Sequence, residues 1–145
     1  MPKVSVEATM PVTPDIAWAT ASDLSGFGEW LSLHEGWRGD LPAEITTGTT
    51  LTSVVSVKGL RNRIDWTVRT FDPPTLITLA GDGKGGVKVS LALTVRPDAR
   101  GSAFSIDAEF TAPGLFGPIG SAVGRALKGD LKTSLAKFVA LAERS

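Results

Sequence analysis

A chain of 145 residues is in the common size range for one domain and can bury about 70% of its unfolded surface without a covalent staple. It has no Cys, which excludes disulfides, thiolate nucleophiles and cysteine-ligated zinc; one His and no Tyr leave an acid/base inventory of His34, carboxylates and lysines. The 15 basic and 15 acidic residues cancel, so no global field gathers phosphate or anionic lipid, and nucleic acid is not an expected partner.

The first ten residues, MPKVSVEATM, alternate where an export signal would need a continuous apolar run. No later stretch nears the roughly 20 apolar residues of a membrane span. The expectation is a cytoplasmic chain that is not inserted in a membrane, with a reducing compartment fitting the absence of Cys.

Lys3 to Met10 reads as an opening strand. Thr13-Pro14-Asp15 then supplies an N-cap, a proline at the first helical position and an early acid, so a short helix runs from about Pro14 to Ala21. Asp23 to Gly26 interrupts it, a second helical turn is expected over Phe27 to Leu33, and Trp37-Arg38-Gly39-Asp40 reads as a loop.

From Gly48 the period changes to two. Leu51, Ser53 and Val55 share one face of a strand; Ile64, Trp66 and Val68 share one face of the next, opposite Arg63, Asp65, Thr67 and Arg69. Leu76 to Ala80 follows the Asp72-Pro73-Pro74 turn. Val87 to Val95 alternates Val and Leu with polar residues, and Phe104, Ile106, Ala108 and Phe110 oppose Ser105, Asp107 and Glu109. Short turns at Lys58-Gly59-Leu60, 72–74, 81–86 and 97–101 predict an antiparallel meander with one apolar face. After Gly114 the period becomes helical, with Ile119, Val123, Leu127, Leu131, Leu135 and Phe138/Val139 forming a stripe that can cover that face. No repeat or linker appears, so 1–145 reads as one α+β domain: a curved antiparallel sheet wrapped around a long C-terminal helix.

Gly81, Gly83 and Gly86 match G-x-G-x-x-G, but a dinucleotide fingerprint must open a helix, and period two follows here; a hairpin turn is expected. His34, between Trp30 and Trp37, is a candidate base or ligand donor, or a structural loop residue, and no G-x-S-x-G elbow supports a Ser-His-Asp triad. Arg63, Asp65, Arg69, Asp107 and Glu109 fall on the outer side of the strands, which leaves little charge facing inward. Arg125, Lys128, Lys132 and Lys137, interleaved with Asp130 and Glu143, read as a solvated helix face.

The element order and the stretches Pro14-Asp15-Ile16-Ala17-Trp18, Phe27-Gly28-Glu29-Trp30 and Phe71-Asp72-Pro73-Pro74-Thr75, together with the 117–140 helix, resemble the START/Bet v 1-like (SRPBCC) helix-grip superfamily, in particular its polyketide cyclase/dehydrase-like branch. Glu29-Trp30-Leu31, Asn62-Arg63-Ile64 and Gly85-Gly86-Val87-Lys88-Val89 are similar to an actinobacterial subgroup that includes a mycobacterial toxin of a type II toxin–antitoxin pair. The resemblance implies a six-stranded meander after the first strand, and a pocket between sheet and C-terminal helix bordered by Trp30 and Trp37. With the inward set, the expected ligand-binding residues are Trp30, His34, Trp37, Val55, Ile64, Trp66, Val89, Leu91, Phe104, Ile106, Ala108, Phe110, Val123 and Leu127.

The first expectation is therefore a binder of an apolar or aromatic small molecule, lipid-like or polyketide-like, with no cofactor, no metal and no firm catalytic residue beyond the candidate His34. The second is a toxin that acts through protein partners, an antitoxin among them. The third is a polyketide aromatase/cyclase.

Overall fold

In the computed structural model, which describes residues 3–39, 41–42, 45–57, 60–114 and 117–144, the alternating segments pair into one antiparallel sheet. Its strands are β1 (Lys3–Met10), β2 (His34–Arg38), β3 (Thr50–Val57), β4 (Leu60–Asp72), β5 (Leu76–Gly83), β6 (Lys88–Asp98) and β7 (Gly101–Thr111). The order is β1-β7-β6-β5-β4-β3-β2, so β2 to β7 form a meander and the first strand pairs with the last. Two short helices, α1 (Pro14–Ser22) and α2 (Phe27–Trp30), separated by a 3₁₀ turn at Leu24–Gly26, carry the chain from one sheet edge to the other. The long helix α3 (Gly117–Glu143) follows β7 and lies across the curled sheet, its backbone nearest to β1 and α2.

Several expected boundaries move. His34 and the Trp37-Arg38 pair belong to strand β2: Gly36, Trp37 and Arg38 pair with Val54, Ser53 and Thr52, after an irregularity between His34 and Gly36. A five-residue strand carrying a glycine and a bulge is too short to display a period. The second helical turn stops at Trp30 instead of Leu33. β5 runs on to Gly83, so only Lys84–Gly86 make the turn expected over 81–86. The turn expected at Lys58-Gly59 and the loop end at Asp40 lie outside the described residues.

Gly81 is a strand residue because of what lies on it. A Cβ there would sit 2.5 Å from Ile64 Cγ2 and 2.8 Å from Trp66 Cε3, so the bare glycine lets two large β4 side chains lie flat across β5. Gly101, with φ of 145°, meets the backbone oxygens of Met10 and Val12 at the start of β7, a place only glycine fills. In β4 a bulge between Val68 and Thr70 shifts the register. After it, Phe71 stands opposite Ile77 and meets Trp18 of α1 at 5.9 Å.

The face of α3 toward the sheet is Gly120, Leu127, Leu131, Ser134, Leu135, Phe138 and Ala142. Ile119, expected on that stripe, is 63% exposed, and Val123 is half-buried. Gly120, the residue after Ile119, is buried, so the covered stripe begins in the first turn and Ile119 lies to one side of it. No helix among the described residues is long and apolar enough to cross a membrane.

Candidate functional site

Alternation on β3, β4, β6 and β7 delivers one side chain in two to the concave face, and these side chains are almost wholly apolar. Val55, Ile64, Trp66, Val89, Leu91, Phe104, Ile106 and Ala108 join Trp30 and Leu127 in a single buried cluster, with Phe110 and Val123 half-buried at its margin. With Trp37, also half-buried against this cluster, thirteen of the fourteen expected ligand-binding residues are thereby brought together. The fourteenth, His34, stands beside Trp37 on β2 with rings 4.7 Å apart, both against Phe27.

At its deep end the interior is aromatic. Phe104 and Phe138 stack at 3.8 Å, and Trp30 meets both edge-on, at 5.7 and 5.1 Å, with Phe27 5.3 Å away on its other side. In sequence Phe138 is legible only as part of the helical stripe, and Phe27 only as part of a family-like tetrapeptide; neither position signals the ring cluster the two help to form. A hydroxyl ties the two layers: Ser134 accepts from the Ser32 backbone N–H and donates to the Asp130 carbonyl, both at 2.8 Å.

Three of the four tryptophans show what their N–H groups do. Trp66 donates to Ser53 Oγ at 2.7 Å inside the sheet–helix layer, and Trp37 donates to the Leu24 carbonyl at 2.7 Å. Trp30 Nε1 is buried with no partner among the described residues, as is Ser102 Oγ.

Among the described residues the buried polar side chains are His34, Ser53, Ser102 and Ser134, with no Lys, Arg, Asp or Glu. Burial holds the His34 imidazole below its ordinary pKa of 6.5, so the ring is neutral at pH 7. Among the described residues no hydrogen bond or ion pair reaches that ring, so no carboxylate orients it as a catalytic base. No cluster of three or more potential metal ligands exists among the described residues.

Charge lies on the opposite face, as alternation predicts. Lys3 pairs with Glu109, Lys88 with Asp82 at 2.7 Å, Arg96 with Glu7, and Arg61 with Glu35 at 2.9 Å. The Ser105 hydroxyl and the Arg96 guanidinium hold the Glu7 carboxyl below its usual range, and Lys88 does the same for Asp82. The two concavities that the described residues form most clearly, of about 360 and 390 Å³, open on this outer side: one over the centre of the sheet beside Arg69, Ala80, Ala92 and Asp107, one near the β2 edge beside Arg38, Leu41 and Asp65.

A curled sheet gripping a C-terminal helix over an apolar interior defines a helix-grip protein of the Bet v 1-like class. The chain belongs to the family described as polyketide cyclase / dehydrase and lipid transport, whose model matches residues 1–143. Among its relatives, a Mycobacterium tuberculosis protein named Toxin Rv0910 is 46% identical over 139 residues, covering 96% of each chain. Another from the same organism, named Uncharacterized protein Rv1546, is 44% identical over 141 residues, covering 97% of this chain and 99% of its own. The solved structure of TTHA0849 from Thermus thermophilus superposes with a TM-score of 0.80 at 17% identity, over 99% of this chain and 98% of that one. That of Ara h 8.0201 gives 0.68 at 14% identity, over 99% and 98%. At such identities the likeness is one of fold.

Proposed function

We propose that this protein binds a small apolar or aromatic molecule, lipid-like or polyketide-like, between the concave face of the sheet and α3. The observation that carries the reading is the composition of the interior: among the described residues every buried one facing it is apolar save one neutral imidazole and three serines. Such a surface recognises hydrocarbon and aromatic rings and offers nothing to hold a charged substrate. It also lacks the convergent acid and base a cyclase reaction calls for, which favours binding over catalysis. Phe110 and Val123, half-buried at the margin of the cluster, are our proposed entry. The family's description, which includes lipid transport, supports the same class of cargo. The cytoplasm is our proposed compartment, on the cysteine-free composition alone.

The neutral probe N-phenyl-1-naphthylamine tests this. It should bind saturably, with energy transfer from the tryptophans. Ala108→Trp, which adds bulk to the inner face opposite Leu91 and Val4, should abolish that binding and leave the protein folded. A parent that does not bind, together with strong destabilisation by Ala108→Trp, would mean a closed core.

A second reading, a toxin restrained by a protein antitoxin, is favoured by the toxin-named relative that aligns with 96% of this chain. Copurification of the native protein with the product of an adjacent short reading frame would put that reading first.

A further inference from the structure

Indole N–H groups buried in a protein find acceptors, because an unmade hydrogen bond in an apolar interior costs most of the group's desolvation. Trp66 and Trp37 obey this, at 2.7 Å each. Trp30 is 1% exposed, yet its Nε1 meets no acceptor among the described residues. Its surroundings are the rings of Phe27, Phe104 and Phe138, and an N–H directed at a ring recovers only part of a conventional hydrogen bond. The second orphan, Ser102 Oγ on a residue 0% exposed, lies two positions before Phe104 on the same face of β7. Trp30 Nε1 lies in the aromatic cluster, and Ser102 Oγ one inward position along β7 from Phe104, its strand neighbours being Met10 and Pro97. A tightly packed hydrocarbon core has no use for either.

We propose that the Trp30 indole N–H is the polar anchor of the ligand site, donating to a carbonyl or hydroxyl oxygen of an otherwise apolar, uncharged ligand whose body runs from Phe104 toward Phe110 and Val123. This rests on the ligand-binding reading above and narrows it to one chemical class. An anionic head group is disfavoured at the same place, because no buried Lys or Arg stands among the described residues to compensate it. The closely related chemistry of a fatty acid carboxylate is thereby separated from that of a ketone, aldehyde or alcohol. Trp30 acts here by contact with the ligand, while Ser102 is a second partner for the same oxygen only if its hydroxyl turns the same way, which the test resolves.

The probes are 2-acetylnaphthalene and 2-ethylnaphthalene, nearly equal in shape and different by one carbonyl. With the full chain the ketone should bind about tenfold more tightly, the value of one hydrogen bond made in an apolar site. In ¹H–¹⁵N spectra the Trp30 indole resonance, assigned by its disappearance in Trp30→Phe, should shift on adding the ketone and stay with the hydrocarbon. Trp30→Phe should equalise the two affinities, whereas Ser102→Ala should leave the ketone preference in place. If Trp30→Phe does not fold, the parent's indole resonance decides alone, assigned then by elimination with Trp18→Phe, Trp37→Phe and Trp66→Phe. Equal affinities in the parent, an indole resonance that both probes leave alone or shift alike, or a preference lost in Ser102→Ala instead, would overturn the anchor and leave the binding reading intact. Failure of both probes to bind would overturn the two together.

Discussion

His34 places an imidazole at the start of β2 against the rings of Phe27 and Trp37, and burial disfavours its charged form. The unfolded chain then takes up a proton first as the pH falls through 6.5, while the folded chain resists until a lower pH. Stability should therefore be complete above pH 6.5 and decline below it, until the folded-state ring protonates as well. Glu7 and Asp82 lose their contributions only below their ordinary values of 4.5 and 3.8, and the raised pKa of Asp130 acts in the opposite sense, so the window from about 6.5 down to 5 belongs to His34. Melting temperatures at pH 7.5, 6.5 and 5.5 should fall in the parent and stay level in His34→Gln; equal slopes in the two would refute the assignment. At this scale the sequence is partly readable. Four tryptophans and one histidine are visible at once, but which indole is satisfied depends on Ser53 and Leu24, 13 residues from Trp66 and Trp37 respectively, and no local pattern announces such partners. Gly81 reads as turn chemistry because glycine most often is; its reason is the two side chains of β4 that lie on it.

Among the elements, α3 is readable because 27 residues sample the helical period many times, whereas β2, with five, samples the strand period barely twice. Periodicity also assigns a face only to within about one residue, which is why Ile119 belongs to the stripe in sequence and to solvent in space while Gly120, the next residue, is buried. The difference is measurable. Leu131, 0% exposed, sits on the buried stripe, so Leu131→Asp puts an uncompensated carboxylate into the sheet–helix layer and should cost on the order of 4 kcal/mol or prevent folding. Ile119→Asp places the same charge in the first turn, exposed and near the positive end of the helix dipole, so it should change stability by no more than about 0.5 kcal/mol. In thermal denaturation the first variant should lose more than about 8 °C and the second about 2 °C at most. Similar melting temperatures for the two would show that Ile119 and Leu131 do not differ in burial as the stripe assigns them.

For the molecule as a whole, neutrality in composition becomes neutrality in space. Strand alternation sends the sheet's charged residues to the outer face, and β-pairing puts Lys3 beside Glu109, Asp82 beside Lys88, and Glu7 within reach of Arg96. That arrangement can be anticipated, because the side of each residue follows from period two; the identity of the partners cannot, since Glu7 and Arg96 are 89 positions apart. Its consequence concerns the toxin-like reading, which leaves open whether the target is nucleic acid or protein. Binding to nucleic acid draws its free energy largely from counterions released by cations that are free to meet phosphate, and here Lys3, Arg61, Lys88 and Arg96 already face carboxylates. Of the other cations, Arg63 and Arg69 share the outer sheet face with Asp65 and Asp82, and the α3 row Arg125, Lys128, Lys132 and Lys137 is interrupted by Asp130. A fluorescein-labelled 20-nucleotide RNA followed by anisotropy should therefore bind with Kd above about 10 µM at 0.15 M salt, and the slope of log K against log salt should be shallower than about −3. Submicromolar binding with a slope near −6 would show that the α3 row works as a basic stripe in spite of Asp130, and would turn the toxin-like reading toward a nucleic-acid target. A flat, weak response leaves protein as the macromolecular partner that the paired outer face can accommodate, because neutral surfaces with charges already matched associate through shape and apolar contact and need no long-range field.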